Sequence, residues 1–341
     1  MDKNKIAGND FIKTLFGRSE VTVIIAVLFL GLIFSVFSTS FLTAYNLFNM
    51  SRTAAIYIFI AIGQALVVIV GGMNLSLGYI GGLTVVAAGY SMQNFKVSPL
   101  TAILIGLAVG ALAGAVNGFI ITVLKLNSFV VTLATSFVFS GLINGISQGS
   151  PYNGIPESFT FIGREGFLGV PYLLWLAILA LSLLGYFFKF TVTGRRLLAT
   201  GGNAEAAKMS GVDTAKMTIL ANVGSGIFAA IAGLLWISRT GSAQPSTGAD
   251  WMVVSFAVAV IGGTALKGGV FNPIGVFFAG FLIVIVKNGL VMLNANVYFE
   301  AAYLGLILLL AVSLDSIKDI MDSRKMKRSL KKSTKLECHY E

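Results

Sequence analysis

The side chains able to do chemistry within the apolar stretches of this chain are uncharged: Gln64, Asn74, Ser76, Thr84, Asn117, Thr122, Thr132, Thr135, Ser136, Asn144, Asn222, Ser225, Ser255 and Thr264. Amides and hydroxyls hydrogen-bond without carrying charge, which suits contact with an uncharged polar solute. The same groups also tie helices together, at about 0.6 to 2 kcal/mol per bond, so each has a packing reading beside a transport one. Two of them fall in residues 68–82, VIVGGMNLSLGYIGG, where glycines, Asn74 and Ser76 interrupt an otherwise apolar run. Gly72, Asn74, Ser76, Thr132, Thr135 and Thr264 are the candidates for lining a translocation path.

The missing chemistry narrows the function further. No Asp or Glu lies at the centre of an apolar segment, and a charge there costs about 2.5 to 3.5 kcal/mol on insertion scales. Carriers keep such residues for a purpose, so their absence argues against proton coupling. No G-x-x-x-x-G-K-[ST] loop and no Gly-Lys pair occurs; if ATP drives this protein, another chain binds it with its magnesium. The single cysteine and single histidine, Cys338 and His339, lie in the polar C-terminal segment, which excludes disulfide frameworks and thiolate metal clusters. With no G-x-S-x-G, His pair or embedded acid dyad, neither a catalytic nor a metal site is expected, nor a cofactor in this chain.

These residues need elements to hold them, and composition says which kind. Of 341 residues, 56% are hydrophobic and 11% charged, with a mean hydropathy of +0.87, which marks a membrane protein. At about 20 apolar residues per crossing, ten candidate spans are centred near residues 30, 61, 84, 111, 138, 179, 226, 259, 280 and 306, the third and eighth being the weakest. The apolar stretch at 21–38 is too long for a secretory h-region and no cleavage site follows, so it reads as a retained first span. The expectation is an all-α polytopic protein with a cytoplasmic segment at 1–20, a transmembrane domain at 21–314 and a basic cytoplasmic tail at 315–341.

A net charge of +10 raises nucleic acid as a partner, but in a polytopic chain the position of the basic residues is the better question. With ten spans, 19 of the 24 Lys and Arg fall on one side, in the N-terminus, Lys125, residues 189–216, Lys267 and the tail, while the loop at 71–78 on that side holds none. Only Arg52, Lys96, Arg164, Arg239 and Lys287 fall on the other. The positive-inside rule then places both termini in the cytoplasm. The tail segment SRKMKRSLKKSTK at 323–335 is either a solvated topogenic segment or a contact for anionic lipid.

Two polar islands break the pattern. Residues 147–171 hold three of the six prolines and many turn residues, giving an external loop long enough to dock a partner. Residues 189–216 form the cytoplasmic island. Within it GGNAEAAKMSG encodes a short helix, with Asn203 as N-cap, Glu205 at the positive end of the dipole and Gly211 as left-handed stop. Ala206, Ala207 and Met209 offer small apolar surface among Arg195, Arg196 and Lys208, as a docking helix for a cytoplasmic partner would. A faint echo also appears, because GGMNLSLG at 71–78 and GGTALKGG at 262–269 share GGxxLxxG. Transporters are often built from repeats with broken helices near the solute, and on this span count the pair is parallel.

Together, VIVGGMNLSLG, SFVVTLATSFVFSGL, TGRRLLATGGNAEAAKMSGV, SAQPSTG, AVIGGTALKGGVFNPIGVFFAGFLIVIVKNGL and GLILLLAVSLD occur in the order found in ribose-type permeases. Over about residues 41–315 the chain resembles the membrane subunit of bacterial ATP-binding-cassette importers of the monosaccharide class. The resemblance implies a bundle like that of the type II importers in the inner membrane, a permease homodimer, a cytoplasmic ABC ATPase and an extracytoplasmic substrate-binding protein. It assigns Arg195, Gly201, Gly202, Asn203, Glu205, Ala206, Ala207 and Gly211 to the ATPase-coupling segment. Gly71, Gly72, Leu75, Ser76 and Gly78 match the glycine-rich motif, which usually has Asp where this chain has Asn74. The resulting expectation is a permease alternating access for a sugar-like neutral solute. The alternative is a passive channel for small neutral polar solutes, which gives no reason for a capped docking helix; a scaffold without transport is a third class.

Overall fold

The computed structural model describes residues 19–265 and 267–293, with single positions between 296 and 309. The N-terminal segment, most of the tenth apolar stretch and the basic tail lie outside the described residues. The elements are Ser19–Phe37 (α1), Ala44–Ile69 (α2), Leu77–Phe95 (α3), Pro99–Val123 (α4), Ser128–Ser147 (α5), Glu157–Arg164 (α6), strands Gly166–Phe167 (β1) and Val170–Pro171 (β2), Tyr172–Phe190 (α7), Val192–Gly202 (α8), Ala204–Met209 (α9), Thr214–Thr240 (α10), Trp251–Ile261 (α11) and Pro273–Met292 (α12). Helix starts follow local chemistry. Asn127 accepts from the Phe129 amide at 2.8 Å and Asn272 from Gly275 at 3.0 Å, while Pro99 and Pro273 occupy first helical positions, where no amide is missed.

Seven described helices are long and apolar enough to cross a membrane: α1, α2, α4, α5, α7, α10 and α12. Of the ten expected spans, the one near 306 lies mostly outside the described residues, and those near 84 and 259 are not among the seven. The stretch near 84 does form α3, but four glycines and several polar residues dilute its apolar character. The stretch near 259 forms only the eleven residues of α11. The island at 147–171 is more ordered than a plain loop, since it folds into α6 and a short hairpin in which Gly166 pairs with Pro171 and Phe167 with Val170.

The centre of the bundle is α2, in which every residue from Ala54 to Ile69 is buried. A helix apolar all round belongs in a core. By contrast, α1 leaves Leu28, Phe29 and Leu32 exposed at the periphery. Among the described elements the most extensive helix contact is that of α4 with α10. Gly106, Gly110, Gly114 and Gly118 recur at every fourth residue along α4, and a Cβ on Gly110 would sit 2.5 Å from the Ala230 Cβ, one on Gly118 2.8 Å from the Ile219 Cα. Small residues at this spacing let two membrane helices pack backbone to backbone.

The loops sort into two ends as the basic residues do. At the near end lie α8 and α9, the close of α2, the start of α5 and the turn at 267–269: Gly201 abuts Ile69 and Gly269, and the Met73 amide donates to Ser128 Oγ at 3.0 Å. At the far end Arg52 donates to the Gly163 carbonyl at 3.3 Å, Arg239 to Thr53 at 2.8 Å and Arg164 to the Thr240 carbonyl at 3.5 Å. Lys287 departs from its expected place in a loop. It lies within α12, where its Nζ bonds the Tyr57 hydroxyl at 2.8 Å and Asp250 at 3.2 Å.

Between α10 and α11 the chain re-enters the bundle. Ala243 and Tyr152 exchange backbone hydrogen bonds of 2.9 and 3.0 Å beside Gly89, the Thr247 carbonyl lies 2.6 Å from where a Gly82 Cβ would be, and the Gly248 carbonyl lies against Gly78. From Gly89 to Gly78 is about 16 Å along α3, and residues 245–250 cover the lower part of it as a run of turns, the Thr247 amide bonding the Gln244 carbonyl and the Ala249 amide the Ser246 carbonyl. Residues 243–248 thus descend beside α3, and α11 starts at that depth.

Candidate functional site

The near-end pair α8–α9 is built by local capping. Thr191 Oγ1 accepts from the Gly194 amide at 3.0 Å to start α8. Asn203 breaks the two helices apart in an extended conformation, φ −159°, and its Oδ1 accepts from the Ala206 amide at 2.9 Å to start α9. Gly211 follows with φ +81°, a left-handed conformation that costs a glycine little. Glu205 stands in the first turn of α9 and Lys208 in the last, both favourable to the helix dipole. Arg195, Arg196, Glu205 and Ala206 are exposed, and Met209 is 90% exposed, but Ala207 is only 6% exposed. Ala207 therefore faces the protein's own core, leaving Ala206 and Met209 as the outward apolar surface. Next along the chain Asp213 caps α10, and its carboxyl is held below the usual carboxylate range chiefly because it accepts from the Lys216 amide.

Gly201 ties this pair to the bundle. Any Cβ there would collide with the Ile69 carbonyl and approach the Gly269 nitrogen to 2.8 Å. The Gly269 amide donates to the same Ile69 carbonyl at 2.8 Å, with φ +87° and +78° at Gly268 and Gly269. Three glycine-bearing segments thus meet at the end of α2 with no side chain between them. The second echo, 262–269, reaches this point through Gly268 and Gly269, and the first, 71–78, begins two residues beyond Ile69.

Beyond Gly71 the chain turns inward and forms a polar knot. Asn74 Nδ2 donates to Ser225 Oγ at 2.9 Å, Ser76 donates to Asn74 Oδ1 from both its amide, at 3.1 Å, and its hydroxyl, at 2.8 Å, and Asn117 Nδ2 donates to Ser76 Oγ at 2.8 Å. Thr132 Oγ1 receives the Leu75 amide at 3.1 Å. Asn74, Ser76, Asn117, Thr132 and Ser225 are all fully buried. Counted from the near ends of their helices, Thr132, Asn117 and Ser225 lie about 6, 9 and 16 Å deep, so the break is within the bundle. Asn74 uses its amide to donate to Ser225; an Asp there could only accept.

The six path candidates divide accordingly. Asn74, Ser76 and Thr132 come together in the knot, with Gly72 at its entrance, where a Cβ would meet Val67 at 3.0 Å. Thr135 bonds back to the Thr132 carbonyl at 3.3 Å. Thr264 lies in the second glycine-rich segment with its buried hydroxyl unpartnered. The described cavities are apolar and lie elsewhere; one of about 590 Å³ runs between α7 and α12 past Leu181, Gly185 and Phe277. Among the described residues no group of three His, Cys, Asp or Glu could hold a metal ion.

Sequence reasoning missed the Gly201–Ile69 contact, which joins residues 132 positions apart, and the re-entrant segment. It also passed over the four-residue glycine period of α4, a signal that was present.

Membrane-length helices packed around a buried core helix, with a capped helix pair locked to that helix's end, define a multi-pass membrane protein of the permease class. A family model described as branched-chain amino acid transport system / permease component matches residues 46–312, and the chain belongs to that family. It is 32% identical over 303 residues to the ribose import permease protein RbsC of Escherichia coli strain K12, covering 88% of this chain and 94% of that one. Identity to the Bacillus subtilis strain 168 ribose import permease is 35% over 298 residues, 85% and 92% of the two chains. To the L-arabinose transport system permease protein AraH of Escherichia coli strain K12 it is 34% over 309 residues, 89% and 92%. No solved structure matches the chain.

Proposed function

We propose that this chain is the permease subunit of a bacterial ATP-driven importer for a monosaccharide or similar neutral solute, working by alternating access in the inner membrane. The observation that carries the reading is the backbone contact of Gly201 with Ile69 and Gly269 behind the exposed, doubly capped α9. A partner pressing on Ala206 and Met209 moves α8, and with no side chain at Gly201 to absorb the motion, the push reaches α2 and the segment leading to α12. The energy comes from a separate cytoplasmic ABC ATPase seated on α9, whose site holds ATP and magnesium. An extracytoplasmic binding protein delivers solute at the far end, where α6 and the hairpin offer a structured platform. The permease works as a homodimer with both termini in the cytoplasm. The similarity to ribose and arabinose permeases supports the solute class, and the uneven distribution of Lys and Arg supports the orientation.

The experiment is affinity purification of the full chain from its own membranes, followed by ligand screening of any co-purified binding protein. An ABC ATPase should co-purify, and the variants Ala206→Trp and Met209→Glu should release it without unfolding the permease. Retention of full ATPase binding by both variants would overturn the assignment of α9.

A further inference from the structure

Residues 244–250 place non-helical backbone and an exposed carboxylate at depth. Gly248 packs on Gly78, about 25 Å below the far end of α3. Lys287, which bonds Asp250 Oδ2 at 3.2 Å, lies about 21 Å from the near end of α12 and about 8 Å from its far end. The Asp250 side chain is 55% exposed and that of Lys287 17%. Above Asp250, Gln244 and Ser246 are exposed with no side-chain hydrogen bond, and Thr247 Oγ1 is buried without a partner. At membrane depth, irregular backbone is tolerated only against protein or beside a water-filled cavity, and ionisable groups avoid hydrocarbon. One side of this segment is against α3; no described residue covers the other side, which is left to water or to the partner subunit of the proposed homodimer, and thiol accessibility separates the two.

We propose that Gln244, Ser246 and Asp250, the last held by Lys287, line the far-end half of a water-filled path and read an uncharged polyhydroxy solute. A carboxylate accepts from two neighbouring hydroxyls while an amide and a hydroxyl give and receive bonds above it. Lys287, held also by the Tyr57 hydroxyl at 2.8 Å, cancels the Asp250 charge, so a neutral solute meets a polar site without net charge. The solute-reading half rests on the proposed permease function; the water-filled path does not.

The test uses the full chain with Cys338→Ser, in lipid nanodiscs open on both sides, and a charged methanethiosulfonate reagent. Ser246→Cys and Asp250→Cys should react within about tenfold of Ser150→Cys, which is on the surface, and more than about 100-fold faster than Leu183→Cys, which faces outward from α7. Ser246→Cys is nearly isosteric, so its result stands even where Asp250→Cys misfolds. Reaction as slow as that of Leu183→Cys, or protection by disulfide-linked dimer formation through the new cysteine, would overturn the path. For the solute, Asp250→Asn in the reconstituted complex should lower ATP-driven uptake of D-ribose or L-arabinose at saturating binding protein about tenfold or more and leave ATP hydrolysis within about threefold. Unchanged uptake rates for both sugars would overturn the solute reading. Absence of ATP-driven uptake by the unaltered complex would strike the proposed function instead and leave the thiol result intact.

Discussion

Residues 72–76 and 244–250 are both short, polar and non-helical, both lie inside the bundle and both run into a helix, yet they are in opposite states. In the first, Asn74 and Ser76 are fully buried and bonded to each other, to Asn117 and to Ser225. In the second, Gln244, Ser246 and Asp250 are exposed, with only Asp250 engaged, by Lys287. Polarity at depth therefore does not by itself mark a solute path. What separates a fastening from a lining is whether the hydrogen bonds are already used within the chain.

Substitutions should separate the two. The largest stability loss is expected for Asn74→Leu, which strips partners from the Ser76 amide, the Ser76 hydroxyl and Ser225; at about 1 to 3 kcal/mol for each buried group left unmatched, roughly 3 kcal/mol or more should disappear from thermal unfolding in detergent. Ser225→Ala removes only the acceptor of the Asn74 amide and should cost about 1 to 2 kcal/mol in the same assay. Asn203→Ala, a capping loss outside both regions, should cost about 1 kcal/mol, seen as faster amide exchange confined to α9. Ser246→Ala should fall within about 0.5 kcal/mol of the unaltered chain while lowering solute uptake. A stability loss at Ser246 equal to that at Asn74 would erase the distinction between the regions.

Much of this was legible before any coordinates. The capped α9 was readable because Asn203, Glu205 and Gly211 act within one or two turns, and the two ends of the bundle were readable because the topology imposed on the chain sorts its Lys and Arg. Seven membrane-length helices agree with apolar runs recognisable by length. The rest depends on tertiary contacts. Nothing local in SAQPSTGAD at 242–250 says that it descends along Gly89, Gly82 and Gly78 of α3. Residue type alone makes Asn74 and Ser76 path candidates, and only their partners, 151 and 41 positions away, show that their bonds are already made.

The central claim is that ATP hydrolysis on a partner is transmitted through α9, Gly201 and Ile69 to drive solute inward. It is tested most directly by loading ATP into proteoliposomes that contain this chain with its co-purified ATPase and binding protein, and measuring labelled D-ribose or L-arabinose inside and out. The account predicts accumulation above the external concentration that needs hydrolysable ATP and is abolished by Gly201→Leu, whose side chain cannot fit against Ile69. Equilibration without accumulation, unchanged when ATP is omitted, would contradict it and establish a passive channel.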